Sequence, residues 1–228
     1  MLNRHERLVL GLFAKWPAPG AVKTRLAGHT SPEWAARVAR AFLGDTLERL
    51  AALPVRRVLA FAPPEAGTAF AVLAGDGFET MPQSSGDLGQ RLASFLDQQL
   101  QGGTEAVVVV GADSPTLPPE HVAQAFQALD QADLVLGPTT DGGYYLLGCG
   151  RRVPPIFAGI DWSSNRVLAQ TVACLADPSW RLALLPPWYD VDTPEDWAML
   201  RGHLAALRRA GLDPGVPRTE ALTQGDYP

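Results

Sequence analysis

The chain has 228 residues, a formal net charge of −5, 46% hydrophobic and 19% charged residues. That length and balance fit one large α/β domain with a real core, and nothing in them suggests a nucleic-acid partner, which would need a basic face, although a local cationic pocket for phosphates stays open. No apolar run approaches the roughly twenty residues of a membrane-spanning helix, so no membrane partner is expected and the cytoplasm is the expected place.

Arg4-His5-Glu6-Arg7 before the apolar run Leu8–Ala14 has the outline of a leader. The run is short and β-like, and reads as a first, central strand. A proline-rich loop follows to Thr30. Ser31-Pro32-Glu33 then opens a helix, with Ser31 as cap and Trp34, Val38, Ala41 and Phe42 as its buried stripe. Residues 55–62 read as a second strand, 65–73 as a short helix and 78–81 as a third strand. Gly86-Asp87-Leu88-Gly89 opens a helix with Leu88, Leu92, Phe95, Leu96 and Leu100 on one side.

Val107-Val108-Val109-Val110 cannot alternate between core and solvent, so it reads as a strand buried on both faces. Pro118-Pro119-Glu120 starts a helix. Residues 133–138 and 144–149 form two strands joined through Asp141-Gly142-Gly143. A helix over 163–176, facing inward with Leu168, Val172 and Leu175, and a strand over 181–185 come next. Thr193-Pro194-Glu195-Asp196 is a strong helix start. The expected architecture is a three-layer α/β/α, Rossmann-like domain over residues 1–210 with a mostly parallel sheet, and a flexible tail over 211–228. Cys149 and Cys174 read as buried free thiols, and the scattered histidines suggest neither a zinc site nor a Ser-His-Asp triad.

Asp113, in the turn Gly111-Ala112-Asp113-Ser114-Pro115, falls just past the carboxyl end of the valine strand, where open α/β sheets bind ligands. It can hold Mg²⁺ or Mn²⁺, or cap its own turn. The loop from Ala14 to Leu26 rims the same edge, with Lys15, Lys23, Arg25 and Gly20 as parts for wrapping phosphates. It matches neither a P-loop nor a dinucleotide fingerprint. Gly86 and Asp87 offer helix-start amides, or simply a cap. Gly142 and Gly143 allow a close backbone approach, or simply a hairpin turn. In Trp188-Tyr189-Asp190-Val191-Asp192 the two carboxylates share one side. Asp190 is the preferred second metal ligand, since Asp192 has a capping alternative beside Thr193. Arg166 is a further candidate clamp for an acceptor or phosphate.

Together, Phe13-Ala14-Lys15, Pro17, Pro19-Gly20, Val22-Lys23-Thr24-Arg25-Leu26, Gly111 to Pro115, Asp141 to Tyr145 and Asp190 to Asp196 resemble the DUF2064 family over residues 8–200. That family consists of GT-A-fold proteins of the nucleotide-diphospho-sugar transferase superfamily and carries the label of glycosyltransferases. Lys23 to Leu26 and Asp190 to Asp196 are also similar to phospholactate guanylyltransferases and, more loosely, to molybdenum-cofactor guanylyltransferases. The resemblance implies that Lys15, Lys23 and Arg25 hold a triphosphate and Asp113 a metal. It also implies a nucleotide or nucleotide-sugar donor and a small-molecule acceptor. One departure is that Ser114-Pro115 follows Asp113 where many GT-A glycosyltransferases have an Asp-x-Asp pair.

The expectation is a Mg²⁺-dependent sugar transfer from a nucleotide sugar, with Asp141 as general base. Nucleotidyl transfer from a triphosphate to a phosphorylated acceptor is the alternative. A non-catalytic nucleotide-binding module remains a third reading. A phosphatase built on Asp113 lacks the second aspartate two residues on.

Overall fold

The computed structural model describes residues 5–224; the outermost residues of the expected domain and tail, 1–4 and 225–228, lie outside the described residues. In chain order the elements are β1 (Leu8–Lys15), α1 (Thr24–Ala27), α2 (Pro32–Ala51), β2 (Arg56–Ala62), α3 (Gly67–Ala74), β3 (Glu79–Pro82) and α4 (Leu88–Gln99). Then come β4 (Ala106–Gly111), α5 (Pro119–Ala128), β5 (Leu134–Pro138), β6 (Tyr144–Cys149), α6 (Val167–Ala173), β7 (Leu182–Leu184), α7 (Pro194–Arg209) and α8 (Pro217–Thr223).

The seven strands form one sheet in the order β3-β2-β1-β4-β6-β5-β7. Only β6 runs against its neighbours, as the return arm of the β5–β6 hairpin. The fold is therefore α/β with a mostly parallel sheet. The chain winds outward from β1 to β3, then jumps back across β1 to lay down β4. That reversal leaves a crevice at the carboxyl ends of β1 and β4. Phe13 pairs with Gly111, so Lys15 and Asp113, each two residues further on, leave the sheet side by side.

Apolar burial fixes the layers. On one face Leu10, Leu12, Val108 and Val110 pack with Leu43, Leu47 and Leu50 of α2 and with Val122 and Phe126 of α5. On the other, Val9, Val107 and Val109 pack with Leu92, Phe95 and Leu96 of α4. The valine run is thus shared between two cores, which explains its lack of alternation. Gly11 belongs to this packing, because a Cβ there would stand 2.5 Å from the Phe95 ring. A third cluster joins the outer side of α2 (Trp34, Val38, Phe42) to Trp197, Leu200 and Leu204 of α7.

Three expectations need correction. The helix expected from Ser163 begins at Val167, because Ser163 takes a left-handed φ of 77°. Val167 and Thr171 are its buried residues and Leu168 and Leu175 pack partly buried against the second cluster, while Val172 is exposed. Leu88 does not join the α4 stripe: it is exposed and lines the crevice described below. The segment from Gly211 is not a loose tail through residue 224. Val216 is fully buried in the third cluster. The carboxylate of Asp45, inside α2 and wholly buried, accepts the backbone N–H groups of Arg218 (3.1 Å) and Thr219 (2.8 Å) and the Arg218 guanidinium (3.2 Å). A buried charge with three donors is a strong anchor, and composition alone does not reveal it.

Candidate active site

The loop after β1 turns at Gly20, where φ is 75° and no neighbour restricts the space, so this glycine serves the turn. It then enters α1 through Lys23, a non-glycine residue at φ 47°. That left-handed step carries the lysine inward rather than out to solvent. Its side chain is 2% exposed, lies 5.1 Å over the Phe42 ring, and donates to Asp113 and, at 3.0 Å, to Asp192. Burial pulls the Lys23 pKa down, and the two carboxylates more than offset it, so the ammonium is held above the ordinary lysine value.

The carboxylates reach this point from separate elements. Asp113 follows β4. Asp190 and Asp192 come from an extended segment tied to the sheet by Trp188 N–H donating to Pro138 (3.0 Å) and Val191 N–H donating to the Asp113 carbonyl (3.0 Å). The Ser114 hydroxyl donates to Asp190. Burial, followed by the neighbouring Asp113 charge, pushes the Asp190 carboxyl up to about 7. The capping alternative for Asp192 does not hold. The Asp196 carboxylate closes the α7 capping box by accepting the N–H groups of Asp192 and Thr193, which leaves the Asp192 carboxylate to Lys23.

Three carboxylates around one ammonium leave two negative charges uncompensated when all are ionised. Half-exposed Asp113 and Asp192 (54% and 40%) and protonation-prone Asp190 suit a hard divalent cation. Among the described residues no three acidic, histidine or cysteine side chains converge to hold a metal unaided. An ion held by these carboxylates would need further ligands from outside the chain, as Mg²⁺ sites commonly do.

Three adjoining cavities open around these residues. One of about 310 Å³ is lined by Ala14, Lys15, Gln83, Tyr144, Asp113 and Asp190. One of about 230 Å³ runs beside Lys15, Lys23, Asp113 and Asp192. A third, of about 370 Å³, is lined by Arg25, Asp141, Gly143, Ser163, Asp190 and Asp192. Lys15 and Asp113 thus share one cleft, as their places in the sequence suggest. Gln83 was not among the expected site residues; its amide group ties the ends of β1 and β2 by donating to Ala60 (2.8 Å) and Ala14 (3.4 Å). A lone glutamine before a Ser-Ser-Gly turn carries no recognisable signal. Ser114 was legible only as part of the turn.

Other expected residues are engaged locally. Asp87 closes a capping box with Gln90, and Gly86 beside it has φ 108°. Asp141 accepts from the Thr139 hydroxyl and from Gly143 N–H (3.1 Å), so its carboxylate braces the hairpin turn. Gly142 is required by packing: a Cβ there would lie 2.1 Å from the Asn165 carbonyl oxygen. The segment 161–166 is thereby pressed onto the turn. Arg166 pairs with Asp161 and does not line the three cavities.

Comparison with known proteins agrees with this architecture. A phosphoenolpyruvate guanylyltransferase of Chloroflexus aggregans is 30% identical over 82% of this chain and 93% of its own length. The crystal structure of a candidate nucleotide-diphospho-sugar transferase from Desulfovibrio desulfuricans G20 is 30% identical, with a TM-score of 0.85 over 96% of this chain and 97% of that one. At 17% identity, the manganese complex of Rv0371C from Mycobacterium tuberculosis H37Rv shares the fold, with a TM-score of 0.51 over 84% of this chain and 97% of that one. The model of the family described as "Uncharacterized protein conserved in bacteria (DUF2064)" matches residues 46–164. The chain belongs to the DUF2064 family.

Proposed function

We propose that the protein is a divalent-metal-dependent nucleotidyltransferase that joins a nucleoside triphosphate to a small phosphorylated acceptor and releases pyrophosphate. The observation that carries this reading is the cleft at the carboxyl ends of β1 and β4, where the cation Lys15 faces Asp113 and Asp190. Asp113, with Asp190 and Asp192, would hold the ion, which when bound supplies charge neutralisation on the phosphates. Lys15 adds electrostatic stabilisation to the leaving pyrophosphate. The buried Lys23 keeps the carboxylates together in the free protein. The apolar flank of the first cavity, Phe13, Leu88 and Leu92, suits the face of a nucleobase.

Sugar transfer from a nucleotide sugar is the second reading, favoured by the description of the Desulfovibrio structure. The chemistry each reaction requires favours the first reading. An inverting sugar transfer needs a base to take a proton from a hydroxyl. Asp141, the residue expected for that task, has its Oδ1 engaged by the turn through the Thr139 hydroxyl and Gly143 N–H. A phosphate acceptor arrives as an anion and needs no base. The Chloroflexus relative makes GTP and phosphoenolpyruvate the first pair to test.

The experiment measures pyrophosphate release from each of the four triphosphates, with phosphoenolpyruvate and other phosphorylated acids, in Mg²⁺ or Mn²⁺. A parallel arm measures nucleoside diphosphate release from nucleotide sugars. Metal-dependent pyrophosphate release that is lost in Asp113→Ala supports the proposal. Nucleoside diphosphate release alone overturns it in favour of sugar transfer.

A further inference from the structure

The loop after β1 carries three cations, and they go to three different places. Lys15 lines the two cavities on the β1 side of Asp113. Lys23 is buried between Asp113 and Asp192. Arg25, on the single turn of α1, lines neither β1-side cavity and instead borders the cavity of about 370 Å³. Among the described residues it has no hydrogen bond or ion pair, whereas Arg166 close by is held by Asp161. An arginine left unpaired beside a cavity offers a planar fork suited to phosphate or carboxylate.

The cavity it borders is built for a small polar guest. Asp190 belongs both to it and to the first cavity, so the two spaces meet at that carboxylate. Trp162 stands edge-on to Tyr144, 6.4 Å between centroids, and gives one wall an apolar surface. Thr139, Ser163 and Ser164 also line it. The segment carrying the two serines is fixed by Gly142 against Asn165 and by Leu168 N–H donating to the Gly142 carbonyl at 2.9 Å. Its volume is near the lower end of small-molecule sites.

We infer that this cavity seats the acceptor, a small phosphorylated acid, and that Arg25 takes the acceptor's negative charge rather than the donor's triphosphate. The inference rests on the nucleotidyl-transfer reading above. An oxygen of the acceptor phosphate bonds to the α-phosphorus of the donor. The bond from that phosphorus to the oxygen bridging it to the β-phosphorus breaks, and its electron pair leaves with pyrophosphate. No proton has to move when the acceptor phosphate enters as a dianion. Donor and acceptor approach Asp190 from opposite sides, each with a cation of its own.

The test uses calorimetric titration of wild type, Lys15→Ala and Arg25→Ala. Each is titrated first with the four nucleoside triphosphates in Mg²⁺ or Mn²⁺. Phosphoenolpyruvate and inorganic phosphate are then titrated into protein saturated with an α,β-methylene triphosphate analogue. Arg25 is exposed and makes no hydrogen bond or ion pair among the described residues, so thermal unfolding of Arg25→Ala should match wild type. Arg25→Ala is expected to weaken the acceptor probes roughly tenfold to a hundredfold while triphosphate affinity stays within about twofold. Lys15→Ala is expected to do the reverse, and Arg25→Lys to recover part of the acceptor affinity. The inference is overturned if Arg25→Ala weakens the triphosphate as much as Lys15→Ala does. It is equally overturned if the acceptor probes bind variant and wild type alike, or bind neither. If wild type binds no triphosphate with either metal, the reading of the reaction fails instead.

Discussion

Replacing Asp190 by Asn tests the electrostatic account of the site. Burial, then the Asp113 charge, lifts the Asp190 carboxyl from 3.8 to about 7. At about 1.4 kcal/mol per pH unit, that rise corresponds to about 4 kcal/mol. The sign follows from where the proton sits. Between about pH 4 and pH 7 the folded chain keeps a proton that the unfolded chain has released. The contribution of this group to stability is whole below pH 4 and is lost as pH rises through 7. Asn does not titrate and still accepts the Ser114 hydroxyl. In metal-free buffer, the stability of Asp190→Asn relative to wild type should therefore climb with pH by up to about 4 kcal/mol and level off above pH 7. Urea unfolding of both proteins at pH 5, 6, 7 and 8 in chelator measures the gap. Adding Mg²⁺ at pH 8 should narrow it, because only the wild type offers the ion an ionised group there. A gap that stays flat from pH 5 to pH 8 refutes the reasoning.

Three further outcomes follow from the same geometry. Lys23→Met leaves Asp113 and Asp192 without their shared cation, and should cost roughly 2–4 kcal/mol without metal, part of it regained in Mg²⁺; chemical denaturation with and without chelator reads both. Asp45→Ala removes the acceptor of two backbone amides and a guanidinium, and should cost roughly 2–3 kcal/mol, with fast amide exchange confined to residues 211–223 and the facing part of α2. Gly142→Ala drives a methyl group into the Asn165 backbone and should displace 161–166 at a cost of roughly 1–3 kcal/mol. Calorimetry on that variant should show acceptor affinity falling while triphosphate affinity is kept.

Local signals carried most of the fold. Four valines in a row announced a doubly covered strand, and Ser31-Pro32 and Thr193-Pro194 marked the starts of α2 and α7. The meeting of Lys15 and Asp113 was legible because both leave strands at the same edge. What escaped depends on distant partners. Lys23 looked like a phosphate ligand until its left-handed backbone turned it onto Asp113 and Asp192, 90 and 169 positions away. Leu88 fitted an apolar stripe, yet the helix begins with it and leaves it at the rim. A helix reads from Ser163, but the left-handed Ser163 and the packing of Asn165 on Gly142 keep 163–166 outside it. No periodicity reports such contacts.

The bond from Asp45 to Arg218 and Thr219 also bears on synthesis. Its amide donors lie 173 and 174 positions downstream. While the chain is still being made, the first long helix holds a carboxylate whose counterparts do not yet exist, and closing so wide a loop is slow. The strands β1 to β4 can assemble earlier, but this helix is sealed only once residues 216–219 have emerged. A chain cut after Ala210 would leave that side group stranded and the hollow occupied by Val216 open to water. The packed structure therefore reaches to Thr223.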